Sequence, residues 1–219
     1  MLFRSNPSKW HFFMKVGKKL SEQHYEKLLN INTAGFQYGF PKLVQYHRYE
    51  PTPYGGMDQL FEHYELLENP HFVDVGCGKG RVPIYIHYRF DIPVTGIEMD
   101  QKFFVEAEQN AKQYLKKISK RHAPIQFIQD IAENYAITKQ DNVFFFFNPF
   151  SVHVFRTFMN HIFNSIEEFS RTVDIILYYP APSYLEYLQN ELELTCLVEV
   201  KLRQEKNENE RFIVFRINE

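Results

Sequence analysis

The sequence predicts a doubly wound α/β fold with a mostly parallel, seven-stranded sheet, a C-terminal antiparallel hairpin and an N-terminal helical appendage. Short apolar runs alternate with segments rich in helix formers, which is typical of parallel sheets covered by helices on both faces. The first apolar run, 72–75, ends in a glycine-rich turn. The last two runs, 192–202 and 212–217, are joined by a short polar loop, and such a short connection allows only antiparallel pairing.

The alternation places each element along the chain. Two prolines and two glycines between Tyr49 and Gly56 indicate an irregular break, which divides the chain into an appendage, 1–56, and a larger domain, 57–219. The predicted strands are 72–75, 93–98, 124–129, 142–147, 173–179, 192–202 and 212–217, and the predicted helices are 21–31, 59–67, 80–90, 101–118, 152–169 and 183–190.

Composition restricts the classes of function. The 219 residues carry a formal net charge of −2, so no excess of positive charge argues for nucleic acid binding. Cys77 and Cys196 form no zinc-type or redox pair, and no apolar run resembles a signal peptide or a membrane span. We therefore expect a cytoplasmic protein with no bound metal and no membrane contact. Residues 1–20 are basic and predict a solvated arm, with a contact for an acidic partner as the alternative.

The glycine turn is the most informative motif. Glycines stand at 76, 78 and 80, between a buried strand and a helix, where the backbone can approach a ligand closely. A dinucleotide-binding turn would have a third glycine at position 81, which Arg81 occupies. This spacing favours a smaller ligand end, such as an amino-acid carboxylate. The alternative is a tight turn that binds nothing.

Acidic side chains follow the next two strands. Ligands of open parallel sheets bind beyond the C-terminal ends of the strands. Glu98 lies 22 residues after Gly76, a position suited to accepting hydrogen bonds from both ribose hydroxyls. Asp130 follows the third strand and is placed to accept from the exocyclic amine of a purine. Helix capping is the alternative for both, and Asp100 fits a cap better than Glu98 does.

The segment after the fourth strand, Asn148-Pro149-Phe150, is the predicted catalytic motif. The Asn148 side-chain oxygen and the Pro149 carbonyl are predicted to accept hydrogen bonds from a nucleophile, and Phe150 to offer its ring to a flat or cationic substrate. The alternative is a plain turn, since Asn-Pro often opens one.

Together these motifs resemble those of class I methyltransferases that use S-adenosylmethionine, over residues 50–219. The resemblance implies a Rossmann-like methyltransferase domain over 57–219. It implies that the glycine loop faces the methionine part of the cofactor and that Asp74 lies near its amino group. It further implies that Glu98 binds the ribose hydroxyls and that Asp130, with the adjacent Ile131, contacts the adenine. The loop residues concerned are Gly76, Cys77, Gly78 and Gly80.

Two narrower resemblances concern the acceptor. The Asn148-Pro149-Phe150 turn is similar to the Asn-Pro-Pro-aromatic motif of enzymes that methylate planar amines, with one proline missing, and partly to the turn of histone-lysine methyltransferases. The segment from Tyr49 to Tyr54 is similar to one in an uncharacterised bacterial-type group. It implies a loop over the cofactor or acceptor. Separately, Tyr49, Tyr54 and Phe150 are the aromatic candidates for stabilising the sulfonium charge.

The resulting hypothesis is methyl transfer by in-line displacement from S-adenosylmethionine to an unidentified acceptor, with nitrogen among the candidates. Protein, small molecule and nucleic acid all stay open as acceptors, and no histidine is required as a base. The first alternative is a non-catalytic cofactor-binding module that docks a partner through the N-terminal arm. The second is an NAD-type oxidoreductase, which Arg81 and the terminal hairpin disfavour.

Overall fold

Seven strands form one mixed sheet. The computed structural model describes residues 20–35, 45–118, 121–203 and 206–218. The strands are β1 (Phe72–Val75), β2 (Val94–Glu98), β3 (Ile125–Gln129), β4 (Val143–Phe146), β5 (Val173–Tyr178), β6 (Cys196–Lys201) and β7 (Arg211–Ile217). Their order across the sheet is β3-β2-β1-β4-β5-β7-β6. Strands β1 to β5 pair in parallel and β7 pairs antiparallel with β5 and β6, so the predicted sheet and terminal hairpin are confirmed.

Helices cover both faces of this sheet. They are α1 (Glu22–Leu29), α2 (Tyr54–His63), α3 (Arg81–Phe90), α4 (Gln101–Lys117), α5 (Val152–Glu168) and α6 (Pro182–Glu186). Successive strand residues face opposite sides, so Phe145 belongs to the core under α1–α4 while Phe144 and Phe146 belong to the core under α5 and α6. The four phenylalanines after Val143 therefore contribute to the hydrophobic cores on both faces of the sheet.

The strand order reverses direction between β1 and β4. The chain moves outward from β1 to β2 and β3, and then returns to place β4 on the other side of β1. In doubly wound sheets this reversal leaves a crevice at the carboxyl ends of the two central strands. The glycine turn after β1 and the Asn148-Pro149-Phe150 motif after β4 therefore lie on either side of it.

The break predicted between Tyr49 and Gly56 is shorter than expected. Helix α2 begins at Tyr54, so both glycines lie in its first turn and the predicted division at 56/57 falls inside a helix. The physical reason is tertiary packing: a Cβ on Gly56 would lie 3.1 Å from the Leu202 side chain. The helix also ends earlier than predicted, at His63 instead of residue 67.

The segment before the hairpin also differs from its prediction. Helix α6 continues as a π-helical turn, Tyr187–Glu191, and β6 begins at Cys196 instead of residue 192. The basic arm at 1–20 lies outside the described residues except for Leu20. Within the described ranges, no helix combines the length and the apolar character needed to cross a bilayer.

Candidate active site

A cavity of about 600 Å³ lies in the crevice at the carboxyl ends of the strands. This volume is within the range of about 300–1,000 Å³ that is usual for small-molecule sites. Its wall brings together predicted residues that are far apart in sequence: Asp74, Gly76, Cys77, Glu98, Asp130, Asn148, Pro149 and Phe150. The structure thus places the ends of β1, β2, β3 and β4 around one space.

The glycine loop is folded tightly and its amides are engaged. Gly76, Gly78 and Gly80 all have positive φ values, which side-chain-bearing residues rarely adopt. The N–H groups of Gly76 and Cys77 both donate to the Ile97 carbonyl at 2.9 Å, and that of Gly80 donates to the Cys77 carbonyl. The loop therefore offers a ligand close approach rather than free donors. Gly78 and Gly80 do not line the cavity, and Gly80 packs against Phe127 instead.

Glu98 supports the loop as well as lining the cavity. Its Oε2 accepts the Gly78 N–H at 2.8 Å and its Oε1 accepts the Asp100 N–H at 2.8 Å. Each carboxylate oxygen can accept a further hydrogen bond. Burial raises the pKa of this carboxyl, although the two amides act in the opposite direction. Asp100 is itself the N-cap of α4, accepting from Lys102, as its position predicts.

Asp74 is a buried carboxyl on the cavity wall. It is 3% exposed, and no described residue donates a hydrogen bond to it. Burial raises its pKa well above the usual range, and the charge of Glu98 raises it further. A cation or N–H donor in the cavity would stabilise its ionised form. Burial also raises the pKa of the neighbouring Cys77, so this thiol stays protonated and inert.

Asp130 combines the two roles considered for it. Its Oδ1 accepts from the Ile131 N–H at 2.8 Å and from the Asn134 side chain at 2.9 Å, which holds the turn after β3. The residue still lines the cavity. Ala132, rather than Ile131, is the apolar neighbour on the cavity wall.

The Asn148-Pro149-Phe150 motif is held by the segment 45–52, which we call the strap. The carbonyl oxygens of Asn148 and Pro149 both contact His47, and Phe150 forms an antiparallel bridge with Tyr46. The Pro149 carbonyl therefore already accepts a hydrogen bond, which differs from the prediction that it accepts from a nucleophile. Phe150 is 1% exposed and packs edge-on against Tyr46, so its ring belongs to the core. Only Asn148 keeps an unused group, a buried Oδ1 without a donor among the described residues.

The strap also covers the glycine loop. The Tyr49 ring lies directly over Gly78, since a Cβ built there would be 2.1 Å from the ring. Its hydroxyl donates to the Thr33 carbonyl at 2.6 Å, and its ring packs against Phe103 at 5.0 Å. Tyr49 lines the cavity, as the resemblance implies for this loop.

Tyr54, in contrast to Tyr49, lies outside the cavity. It is fully buried, stacks on Tyr25 with ring centroids 4.6 Å apart, and is not part of the cavity wall. The reason is its place in the first turn of α2, whose inner face packs on α1. The guanidinium of Arg81 lies 4.5 Å from the centre of its ring, so the cation that Tyr54 contacts is Arg81.

The ion pairs and hydrogen bonds of Arg81 are the main contacts near the site that the sequence did not predict. Its side chain is 4% exposed and forms ion pairs with Glu22 and Glu26 of α1. It also donates to the Thr33 hydroxyl at 2.7 Å and to the Thr52 carbonyl at 3.1 Å. One arginine after the glycine loop thus attaches both α1 and the strap to the sheet domain. A buried charge needs such partners.

The hydrogen-bond acceptors on the cavity wall suit an organic ligand with hydroxyl and amino groups. Glu98 and Asp130 have carboxylate oxygens that can accept from such groups, and Asp74 lacks a donor. Across the part of the chain that the structure describes, no three histidine, cysteine, aspartate or glutamate side chains are grouped as metal ligands would be.

Solved methyltransferases have similar backbones. An RNA methyltransferase from Salinibacter ruber, crystallised with S-adenosyl-L-homocysteine, shares 20% identity over 76% of this chain and 92% of that chain, with a TM-score of 0.51. An S-adenosylmethionine-dependent methyltransferase from Methanosarcina mazei shares 13% identity, covers 71% of this chain and 95% of its own, and has a TM-score of 0.53. A protein from Pyrococcus horikoshii, 17% identical, covers 90% and 98% with a TM-score of 0.52.

These similarities establish the class of structure. The chain has the Rossmann-like fold of class I methyltransferases, with the seven-stranded sheet and terminal hairpin described above. No protein-family model and no curated protein sequence matches it. At these identities the likeness concerns the fold, and the function has to be argued from the site.

Proposed function

We propose that this protein is an S-adenosylmethionine-dependent methyltransferase. The observation that carries the proposal is the convergence of Asp74, Glu98, Asp130 and Asn148 on one cavity at the strand-order reversal of this fold. When bound, the cofactor supplies an electrophilic methyl group on a sulfonium, so no covalent enzyme intermediate is needed.

The residues of the chain then bind the cofactor and orient it. Glu98 accepts from the two ribose hydroxyls with the lone pairs that its amide contacts leave free, and Asp74 accepts from the amino group of the methionine part. Asp130 and Ala132 bound the adenine side of the cavity. The strap closes over the glycine loop, and exclusion of water strengthens each of these polar contacts.

The acceptor stands on the Asn148 side of the cavity. The side-chain amide of Asn148 is the group available to orient it, because the carbonyl of Pro149 and the ring of Phe150 are engaged within the protein. A planar amine held between a proline carbonyl and an aromatic ring therefore has no support in this geometry. Protein, small-molecule and nucleic acid acceptors all stay within the proposal.

Glu98→Ala should weaken binding of S-adenosylhomocysteine by about 1.5–3 kcal/mol, the usual value of a hydrogen bond to a charged group. That corresponds to a dissociation constant about 10- to 150-fold higher. The loss has two sources, the ribose contact and the Gly78 amide that Glu98 holds. Isothermal titration calorimetry measures it.

The matched control is Glu108→Ala, which removes an exposed carboxylate from the outer side of α4 and should leave the affinity unchanged. An unaltered affinity in Glu98→Ala would remove Glu98 from the ribose role. Binding of a nicotinamide dinucleotide in place of the adenosyl ligand would favour the oxidoreductase alternative. Tight binding with no acceptor methylated under any condition would favour the non-catalytic module.

A further inference from the structure

The strap brings one histidine to the acceptor side of the cavity. His47 is an exposed residue that lines the cavity, and its Nδ1 lies 2.7 Å from the Asn148 carbonyl oxygen. Its backbone N–H donates to the Pro149 carbonyl at 2.9 Å. Two contacts from one residue therefore hold the imidazole beside the Asn148 turn.

The side-chain contact determines which nitrogen of neutral His47 carries the hydrogen. A carbonyl oxygen has no proton to give, so Nδ1 must be the donor. A neutral imidazole has one N–H, so Nε2 then carries a free lone pair. None of the described residues binds Nε2, and it is left for a molecule in the cavity.

Asn148 provides a second unused acceptor at the same place. Its Oδ1 is buried without a donor from the described residues, a state that folded proteins rarely leave unresolved. Its backbone has φ +40°, and the contacts with His47 hold that left-handed conformation. The Nε2 lone pair of His47 and the side-chain amide of Asn148 belong to residues that line one cavity, which indicates a ligand group that carries protons.

We propose that His47 is the general base of the methyl transfer that we assign to this protein, and that its Nε2 removes the proton of an O–H or N–H acceptor group. The acceptor atom forms a bond to the methyl carbon while the carbon–sulfur bond breaks, and the electron pair of that bond stays on sulfur as an uncharged thioether. The proton passes to Nε2, and the imidazolium returns it to water. The Asn148 side-chain amide orients the acceptor.

The charges around His47 determine how a bound cation affects it. Arg48 and Glu50 stand on the same segment, and the carboxyl groups of Asp74, Glu98, Asp100 and Asp130 share the cavity. The Arg81 guanidinium also reaches the wall, but it is paired with Glu22 and Glu26. A positive charge at the sulfur position would repel the imidazolium form of a histidine whose Nε2 faces the methyl group.

Nitrogen-15 NMR of the full-length protein with labelled histidine tests both parts of the inference. The His47 signals are assigned by their loss in His47→Asn. In the S-adenosylhomocysteine complex, neutral His47 should carry its hydrogen on Nδ1. Sinefungin, which has an ammonium in place of the sulfonium, should shift the Nε2 resonance of His47 relative to that complex, because its N–H groups can donate to the Nε2 lone pair.

His153, an exposed histidine on α5, is the control, and its nitrogen resonances should be the same in the two complexes. Hydrogen on Nε2 of neutral His47 would overturn the base assignment, because that nitrogen would have no lone pair. Equal Nε2 resonances of His47 in the two complexes would overturn its position beside the methyl group while leaving cofactor binding intact. Failure of both ligands to bind would contradict the proposed function itself, and this inference with it.

Discussion

Gly78→Ala should destabilise the protein by about 2–5 kcal/mol and abolish binding of the adenosyl cofactor. The backbone there has φ +55°, which costs a side-chain-bearing residue about 1–2 kcal/mol. The new Cβ would lie 2.1 Å from the Tyr49 ring, and such overpacking adds about 1–3 kcal/mol. Tyr49 cannot move away freely, because its hydroxyl is bound to the Thr33 carbonyl and its ring packs on Phe103.

Urea denaturation and calorimetric titration with S-adenosylhomocysteine measure the two effects. Gly55→Ala is the control: that glycine lies in the first turn of α2 with open space around its Cα, so the substitution should be neutral. A Gly78→Ala protein with wild-type stability and affinity would show that the strap does not lie over the glycine loop in solution.

Arg81→Ala should lower the free energy of unfolding by about 3 kcal/mol. Removing one partner of a buried ion pair usually costs about 3–5 kcal/mol, and the lower value applies because Glu22 is half-exposed. The loss should fall on the attachment of α1 and the strap, since Arg81 contacts Glu22, Glu26, Thr33 and Thr52. Hydrogen exchange should therefore rise in 20–33 and 45–53 more than in the sheet.

Arg203→Ala tests whether this effect depends on burial. Arg203 also pairs with a carboxylate, Glu62, but its side chain is 60% exposed. Exposed pairs contribute about 0–1 kcal/mol, so this variant should unfold almost like the wild type. Equal effects of the two substitutions would contradict the role given to Arg81.

The sheet was predictable because its signals are local. Apolar runs such as Val143–Phe146 have to be buried on both faces, and the short polar connection before Arg211 can only join antiparallel strands. The start of α2 was not predictable in this way. Gly55 and Gly56 indicate a turn by local preference, and it is packing against Leu202 that stabilises the helix there.

In the candidate site, too, local features were predictable from the sequence and long-range contacts were not. Positions such as Glu98 and Asn148 follow from where strands end, which sequence patterns reveal. Contacts between residues about a hundred positions apart in the chain do not follow from such patterns, and the contact between His47 and the Asn148 carbonyl is an example. The burial of Phe150 under Tyr46 also depends on such a contact. Arg81 was itself a signal for a buried ion pair, because this charged residue stands at the start of α3 directly before the apolar run 82–86.

A crystal structure of the protein with S-adenosylhomocysteine tests the central claim most directly. We expect the ligand in the cavity, with its ribose hydroxyls on Glu98, its amino group near Asp74 and its sulfur directed toward Asn148. A ligand bound elsewhere, or a cavity that stays empty at concentrations saturating for related enzymes, would contradict the claim that these strand ends form a cofactor site.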